Sequence, residues 1–368
     1  MPVALDEFPI HQAPLSLEQV ASSDRNFYDR CYFNAHDRTG EIFFVTGLGV
    51  YRNLGVTDAF ALVRKGTLQW TVKLSDAFSH DRTFDQRIGP YHIEVIEPLQ
   101  RIRIICDADE HGIGFDLTWD GSFPAVEEQR HLLHAMARPV LDTYRFAQVG
   151  TWSGTLRVDG ETHAVDPATW IGTRDRSWGI RPVGEPEPHG RAAEERDPGI
   201  WWLYVPLRFD DHALIVMAQE RTDGYRTLND AVRVWSGGHV EQLGWPEVDI
   251  VYRSGTRIPE RAKLHLVGRD RKPIEVDIES LGGTALHVGA GYGTDPEWNH
   301  GQWMGRDWIK GSVYDLTDPD VKGRIPFGVI DHVARATCDG AVGWGLFEHA
   351  TIGRHLPSGF TDFDAVAP

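Results

Sequence analysis

Leu264-His265-Leu266-Val267-Gly268-Arg269-Asp270-Arg271-Lys272-Pro273-Ile274-Glu275-Val276-Asp277-Ile278 reads as a β-hairpin. In its second arm apolar and charged residues alternate strictly, the period of a strand with one face buried. Gly268 to Pro273 carry the turn. The same signature recurs outward from it: Ile102-Arg103-Ile104 alternates, Asp159-Gly160 follows Thr155 to Val158, and Gly237-Gly238 follows Val232 to Trp235. Consecutive antiparallel hairpins are predicted along most of the chain. Only Leu15 to Ser22 and Val126 to Ala137 read as helical, and neither alternates with strands as βαβ units would require. The fold class expected is all-β, two antiparallel barrels or sandwiches in tandem with few short helices.

A chain of 368 residues exceeds one ordinary core, so two domains are expected. Pro182 to Pro198 concentrates prolines, glycines and charges around Glu185, His189 and Arg191, and reads as a mobile loop. It places the boundary near 185, giving domains 1–185 and 186–368. The formal charge of −17, with no basic run, argues against nucleic acid. No apolar segment is long enough to span a bilayer, and Met1 to Pro14 lacks a signal core, so a cytoplasmic location is expected. Cys31, Cys106 and Cys338 are odd in number and far apart, which suggests buried small hydrophobes rather than a disulfide framework.

Familiar catalytic signatures are missing. Gly289-Ala290-Gly291-Tyr292-Gly293 has its third glycine misplaced for a dinucleotide loop, and no Gly-x-Ser-x-Gly elbow occurs. His300, His332, His349, His355 and Glu348 share one C-terminal stretch, but no pair has the spacing that sets two imidazoles on one helical face. No metal and no cofactor are expected.

Three denser segments remain. Trp170 to Gly179 (Trp-Ile-Gly-Thr-Arg-Asp-Arg-Ser-Trp-Gly) gathers Asp175, two arginines and two tryptophans, and Trp201-Trp202-Leu203-Tyr204 starts the next strand. Asp175 has two readings here, an ion pair with Arg174 or Arg181, or a functional carboxylate. Gly291 to Trp308 interleaves Tyr292, Trp298, His300 and Trp303 with glycines, a pattern suited to an apolar pocket with a few directional groups. Asp331-His332-Val333 and Glu348-His349 form the third. In a strand His332 cannot share a face with Asp331.

At these residues a resemblance is visible. Gly172-x-x-Asp175-x-x-Trp178-Gly179, Trp201-Trp202, Asp210-Asp211 and Asp223-Gly224 resemble the AttH-like and carotenoid hydratase superfamily of tandem lipocalin-like proteins. Gly291-Tyr292-Gly293, Trp298-x-His300-Gly301 and Glu348-His349 to Gly359-Phe360 look like one branch of it. The resemblance covers roughly residues 25 to 360. It implies two calycin-type barrels with a pocket at or near their junction, and relatives that hydrate, cyclise or close rings on large apolar molecules without a redox cofactor. The chain departs from the hydratase pattern. Arg176 and Ser177 stand where the hydratase motif has its histidine, and Met217 and Gln219 fall near its tyrosine and aspartate.

Two readings of function stay open. The first is a cofactor-independent enzyme acting on an apolar terpenoid, steroid or aromatic-derived molecule by proton transfer: hydration, dehydration, isomerisation or cyclisation. Its candidate acids and bases are Asp175, His300, His332, Glu348 and His349, with His300 and His332 foremost. Arg176, Trp178, Trp202, Tyr204, Tyr292, Trp298 and Trp303 would bind substrate. The second is a non-catalytic carrier or sensor of a hydrophobic ligand, as monomer or oligomer. Two titratable groups converging on one cavity would favour the enzyme.

Overall fold

Tyr32 and Phe33 point to opposite sides of one strand, and both are buried. That double burial organises the molecule. A computed structural model describes residues 7–9, 11–79, 85–135, 137–183, 199–293 and 295–368. The loop read over 182–198 and the boundary near 185 fall almost wholly on residues outside this set.

The first half forms β1 (Phe27–His36), β2 (Ile42–Tyr51), β3 (Val56–Lys65), β4 (Leu68–Ala77), β5 (Gln86–Ile88), β6 (Tyr91–Glu97), β7 (Arg101–Ala108) and β8 (Ile113–Gly121). It continues through β9 (Val126–Glu127), β10 (His131–Ala135), β11 (Arg138–Val158), β12 (Glu161–Val165) and β13 (Ile171–Ile180). The second half forms β14 (Gly199–Arg208), β15 (His212–Glu220), β16 (Arg226–Trp235), β17 (Val240–Gln242), β18 (Glu247–Tyr252), β19 (Pro259–Val267) and β20 (Pro273–Ala285). After these come β21 (Trp308–Asp315), β22 (Ile330–Cys338) and β23 (Ala341–Gly353).

These strands make two curled antiparallel sheets. The first has 14 strands in the order β21-β4-β3-β2-β1-β13-β11-β8-β7-β6-β5, with β9, β10 and β12 also on β11; the second has nine, β17-β16-β15-β14-β23-β22-β20-β19-β18. The all-β expectation therefore holds, and the hairpin that opened the reading is β19 and β20, paired from Arg261↔Glu279 to Val267↔Pro273.

Each sheet curls around its own apolar interior. Phe33, Phe44, Phe115, Trp119 and Trp152 fill the first, and Leu203, Val205, Leu264, Val276 and Phe347 the second. A third core joins them from outside: Tyr32, Phe43, Phe60, Val149, Tyr204, Ile215, Val232, Trp298, Val333 and Leu346 come from both sheets. Strands that touch this layer are buried on both faces, so β2 is almost continuously buried, whereas β20, away from it, keeps the exposed-buried alternation over its first six residues.

The chain of the second half also completes the first sheet. After β20 residues 286–293 and 295–307 lie on the outer face of β3 and β4, and β21 pairs with β4 from Trp308↔Ser75 to Asp315↔Leu68. Polar side chains hold the crossing. Gln69 Nε2 donates to the carbonyls of Ala285 and Val288 at 3.1 and 2.6 Å, Thr284 Oγ1 donates to Gln69 Oε1, and Lys73 pairs with Glu297.

Both helical expectations fail. Residues 126–127 and 131–135 pair with the long β11, where Arg130 grips Asp142 through two bonds of 2.7 and 2.9 Å, so cross-strand pairing overrides the helix-like spacing. Over Leu15 to Ser22 the carbonyls a helix would use are taken by side chains: Arg52 Nη1 donates to Glu18 at 3.1 Å and Asn53 Nδ2 to Ser22 at 2.7 Å. Among the described residues no helix is long and apolar enough to cross a membrane.

Candidate functional site

β13 lies against β23, and β11 against β14, where the two sheets meet. Strand parity decides which side chains enter that layer. On β13 Thr173, Asp175 and Ser177 face it, in register with Tyr32 and Arg30 of β1 and Ala147 and Arg145 of β11. On the second sheet Asp331 of β22 is the direct cross-strand partner of Glu348 of β23, which is itself opposite Tyr204 of β14. Asp175, Arg145, Trp202, Tyr292 and Glu348 keep partial exposure inside this otherwise buried layer, so they line a solvent-reachable cleft.

Three carboxyl groups thus approach from both sheets. Asp331 is fully buried, and burial together with the neighbouring Glu348 carboxyl pushes it well above the usual carboxylate range. Burial also raises Glu348. The two lie within hydrogen-bond reach once one is protonated, with Tyr32 donating to Asp331 Oδ2 and the Trp202 indole N–H to Glu348 Oε1. Asn34 locks the tyrosine, donating to its hydroxyl at 3.1 Å and to Thr173 Oγ1 at 2.7 Å. Asp175 is pushed up to about 7, chiefly by burial, and the Arg145 guanidinium only partly offsets the rise. Among the described residues it has no ion-pair partner. Arg174 instead donates to Gln148 Oε1 at 2.8 Å on the opposite face, and Arg181 reaches His300, so the pairing expected for Asp175 is not formed.

An aromatic wall stands beside the carboxyls. Trp202 stacks between His131 and Tyr204, with centroids 5.9 and 6.4 Å apart, and Arg145 lies over both Trp202 and Tyr204 while pairing with Glu128. The buried Tyr204 hydroxyl lies beside Glu128, and burial with that carboxylate raises it well above the usual phenol range. Met217 and Gln219, at the positions where the hydratase pattern has titrating groups, serve this wall: Met217 Sδ sits 2.8 Å from Arg145 Nη2, and Gln219 contacts His131.

At the other end of the cleft Arg30 Nη1 donates to Asp58 at 3.0 Å and to the Tyr51 hydroxyl at 2.8 Å. Gly47 and Gly49 make room for this group, since a Cβ on Gly49 would stand 2.5 Å from the Tyr51 hydroxyl and 2.9 Å from Asp58 Oδ1. His300 closes this end with both ring nitrogens occupied: Nε2–H donates to the Ala290 carbonyl at 2.7 Å, and Nδ1 accepts from Arg181 at 3.3 Å. Burial and the two nearby guanidiniums hold it well below the usual imidazole range. It is neutral and packed by Tyr292 and Trp298, with centroids at 4.4 and 5.4 Å.

Of the residues singled out in the sequence, the structure brings Asp175, Glu348, Trp202, Tyr204 and Tyr292 into the cleft and sets Trp298 and His300 at its end. It separates the others. His332 and His349 point into the interior of the second sheet, burial holding each near 3. There Ser280 Oγ lies 2.9 Å from His332 Nδ1, and His349 donates from Nδ1 to the Trp202 carbonyl at 2.6 Å. Arg176 and Trp178 face away from Asp175, Arg176 pairing with Asp29 at 2.9 Å and Trp178 stacking on Tyr144 at 6.5 Å. Trp303 is 45% exposed. Asp331, Tyr32, Arg30, Arg145, Glu128 and His131 were not candidates. The parity of Asp331 with the apolar Val333 was the one signal that could have found any of them. Among the described residues no group of three or more His, Cys, Asp or Glu is arranged to hold a metal ion.

Comparison with solved structures gives the fold its relatives. Kievitone hydratase from Nectria haematococca is similar at 16% identity and TM-score 0.51, over 87% of this chain and 88% of that one. An AttH candidate from Nitrosomonas europaea is similar at 15% identity and TM-score 0.56, over 92% and 98%. At these identities the likeness shows the architecture, two lipocalin-like barrels in tandem, as the sequence motifs implied. No curated protein matches the sequence. A family model covers residues 3–361, and the chain belongs to that family, a family of unknown function designated DUF8625.

Proposed function

We propose that the chain is a cofactor-independent enzyme that moves protons on an apolar small molecule bound between the two sheets. The reaction is a hydration, dehydration, isomerisation or cyclisation. One observation carries this reading: Asp175 and the Asp331–Glu348 pair converge from opposite sheets on a single aromatic-lined layer, with Asp175 pushed up to about 7. A carboxyl at that value is divided between its two forms at neutral pH, so it can give a proton and take one back. The paired carboxyls offer the complementary acceptor. An apolar molecule lying on Trp202, Tyr204 and Tyr292 would displace water from the cleft, which strengthens every polar contact to the reacting group. The fold is shared with a kievitone hydratase, which supports the hydration member of the set.

The test is isotopic. The protein is incubated with an apolar metabolite extract in water enriched in deuterium and oxygen-18, and products are compared by mass spectrometry with those formed by Asp175→Asn and Glu348→Gln. Label that enters an apolar product with wild type and falls at least a hundredfold with either variant supports the reading. A molecule that is bound and released unlabelled would overturn it in favour of a carrier.

A further inference from the structure

The end of the cleft opposite the Asp331–Glu348 pair carries positive charge that the protein does not answer. Arg30 is 2% exposed, and of its guanidinium only Nη1 is used; Nε and Nη2 are buried without a partner. Its charge is matched by Asp58, which is committed through its other oxygen to the Gly301 N–H at 2.6 Å. Arg181 has no such match. Among the described residues no carboxylate lies within ion-pair distance of it, the one hydrogen bond of its guanidinium goes to the neutral His300, and that guanidinium rests on the Tyr28 ring at 4.5 Å. Tyr292 packs on the same His300 ring that Arg181 reaches and is close enough to feel the charges of Arg30, Arg181, Asp175 and Asp331. Its ring is 5.7 Å from Arg30, and its hydroxyl makes no hydrogen bond within the described residues.

A partly accessible guanidinium beside a free phenolic hydroxyl is a receptor for an oxyanion: a planar fork that grips two oxygens and a neutral donor for one of them. Among the described residues at this end one cation, Arg181, lacks a carboxylate, which suits a monoanion. The adjoining wall of Trp202 and Tyr204 is aromatic, and the Arg145 guanidinium over both rings is already paired with Glu128. We infer that the ligand of this cleft is an apolar carboxylic acid, its carboxylate held by Arg181 and Tyr292 with Arg30 behind them, and its hydrocarbon body lying toward Asp175 and Trp202. This rests on the cleft being the ligand site proposed above. It also gives Asp175 a purpose for its position. A carboxylate arriving at Arg181 adds negative charge near Asp175 and withdraws the partial compensation that Arg181 supplies, so binding favours the protonated acid.

The test uses apolar acids and their matched primary amides, dodecanoate, farnesoate and 2-naphthoate against dodecanamide, farnesamide and 2-naphthamide, with binding read from quenching of tryptophan fluorescence and from calorimetry. At least one acid should bind roughly tenfold to a hundredfold tighter than its amide. Arg181→Gln should abolish that preference with the amide's affinity unchanged, Arg181→Lys should retain part of it, and Tyr292→Phe should reduce it severalfold. Above pH 7 calorimetry in buffers of different ionisation enthalpy should report proton uptake with the acid and none with the amide. Amides that bind as tightly as acids, or a preference that survives Arg181→Gln in a variant with wild-type melting temperature, would overturn this inference and leave the cleft as the ligand site. If no member of either series binds, the cleft reading falls and this inference with it.

Discussion

Asp331 and His332 are consecutive residues of one strand, and the sheet sends them into different worlds. Asp331 enters the layer between the sheets, where Tyr32 donates to its Oδ2 and the Glu348 carboxyl, itself held by the Trp202 indole N–H, lies beside it. His332 enters the interior of the second sheet beside Phe347, with Ser280 on one nitrogen and no partner for the other. Both are buried, and both have their ordinary acidity displaced toward the neutral form. Burial alone therefore does not mark a working group. What separates them is company: the carboxyls share one layer with Asp175 and Arg145, where Glu348 keeps partial exposure, and the imidazoles of His332 and His349 sit buried inside the second sheet among structural hydroxyl and carbonyl partners.

Substitutions should expose this contrast, and the largest effects belong to the carboxyl face. Asp175→Asn or Glu348→Gln should lower turnover by roughly two to four orders of magnitude with the fold intact, as circular dichroism would verify. His332→Gln and His349→Gln should leave the rate per folded molecule within a few-fold of wild type. A histidine variant that loses rate as the carboxyl variants do would erase the distinction.

Stability should run the other way. His349 receives the Tyr252 and Thr351 hydroxyls at 3.0 and 2.8 Å and donates to the Trp202 carbonyl, so His349→Ala leaves a buried cavity and stranded polar groups. It should destabilise by roughly 2–4 kcal/mol in urea unfolding. A loss under half a kcal/mol would show that the interior tolerates the site.

The pH dependence sharpens the comparison further. Asp175 is raised on folding, so its contribution is fully present below the unfolded value near 4 and is lost as pH rises through about 7. Wild type should lose stability relative to Asp175→Asn from about pH 4 to about pH 7 and run parallel to it above, and the acid-dependent rate should fall as pH rises through about 7. Parallel stability curves for the two proteins would mean that Asp175 is ionised throughout. The smallest effect is expected at Trp303, 45% exposed, where Trp303→Ala should change melting and rate hardly at all.

How much of this the sequence carried follows from the same physics. The hairpin at 264–278 was legible because one of its faces meets solvent, and β1 to β4 were not, because burial on both faces removes the alternation. The segment 126–137 misled because short strands pinned to β11 can carry helix-like spacing. Asp175 and Glu348 stood out among dense aromatic neighbours. Tyr32, Arg145 and Asp331 did not, since their partners lie on strands distant in sequence, and Tyr32 meets Asp331 across 299 positions. His332 and His349 attracted attention by residue type, and a face decided their place.

The crossing that follows β20 and the pairing of β21 with β4 also bear on how the chain is made. β4 ends at Ala77, yet its outer edge finds a partner only when residue 315 has emerged. Until then its backbone donors and acceptors, with Gln69 and Lys73 beside them, face solvent as an open edge of the kind that pairs with other chains. The first sheet must therefore wait in an incomplete form while more than two hundred further residues are made, and its closure and the docking of the second sheet become one late event joining contacts that far apart.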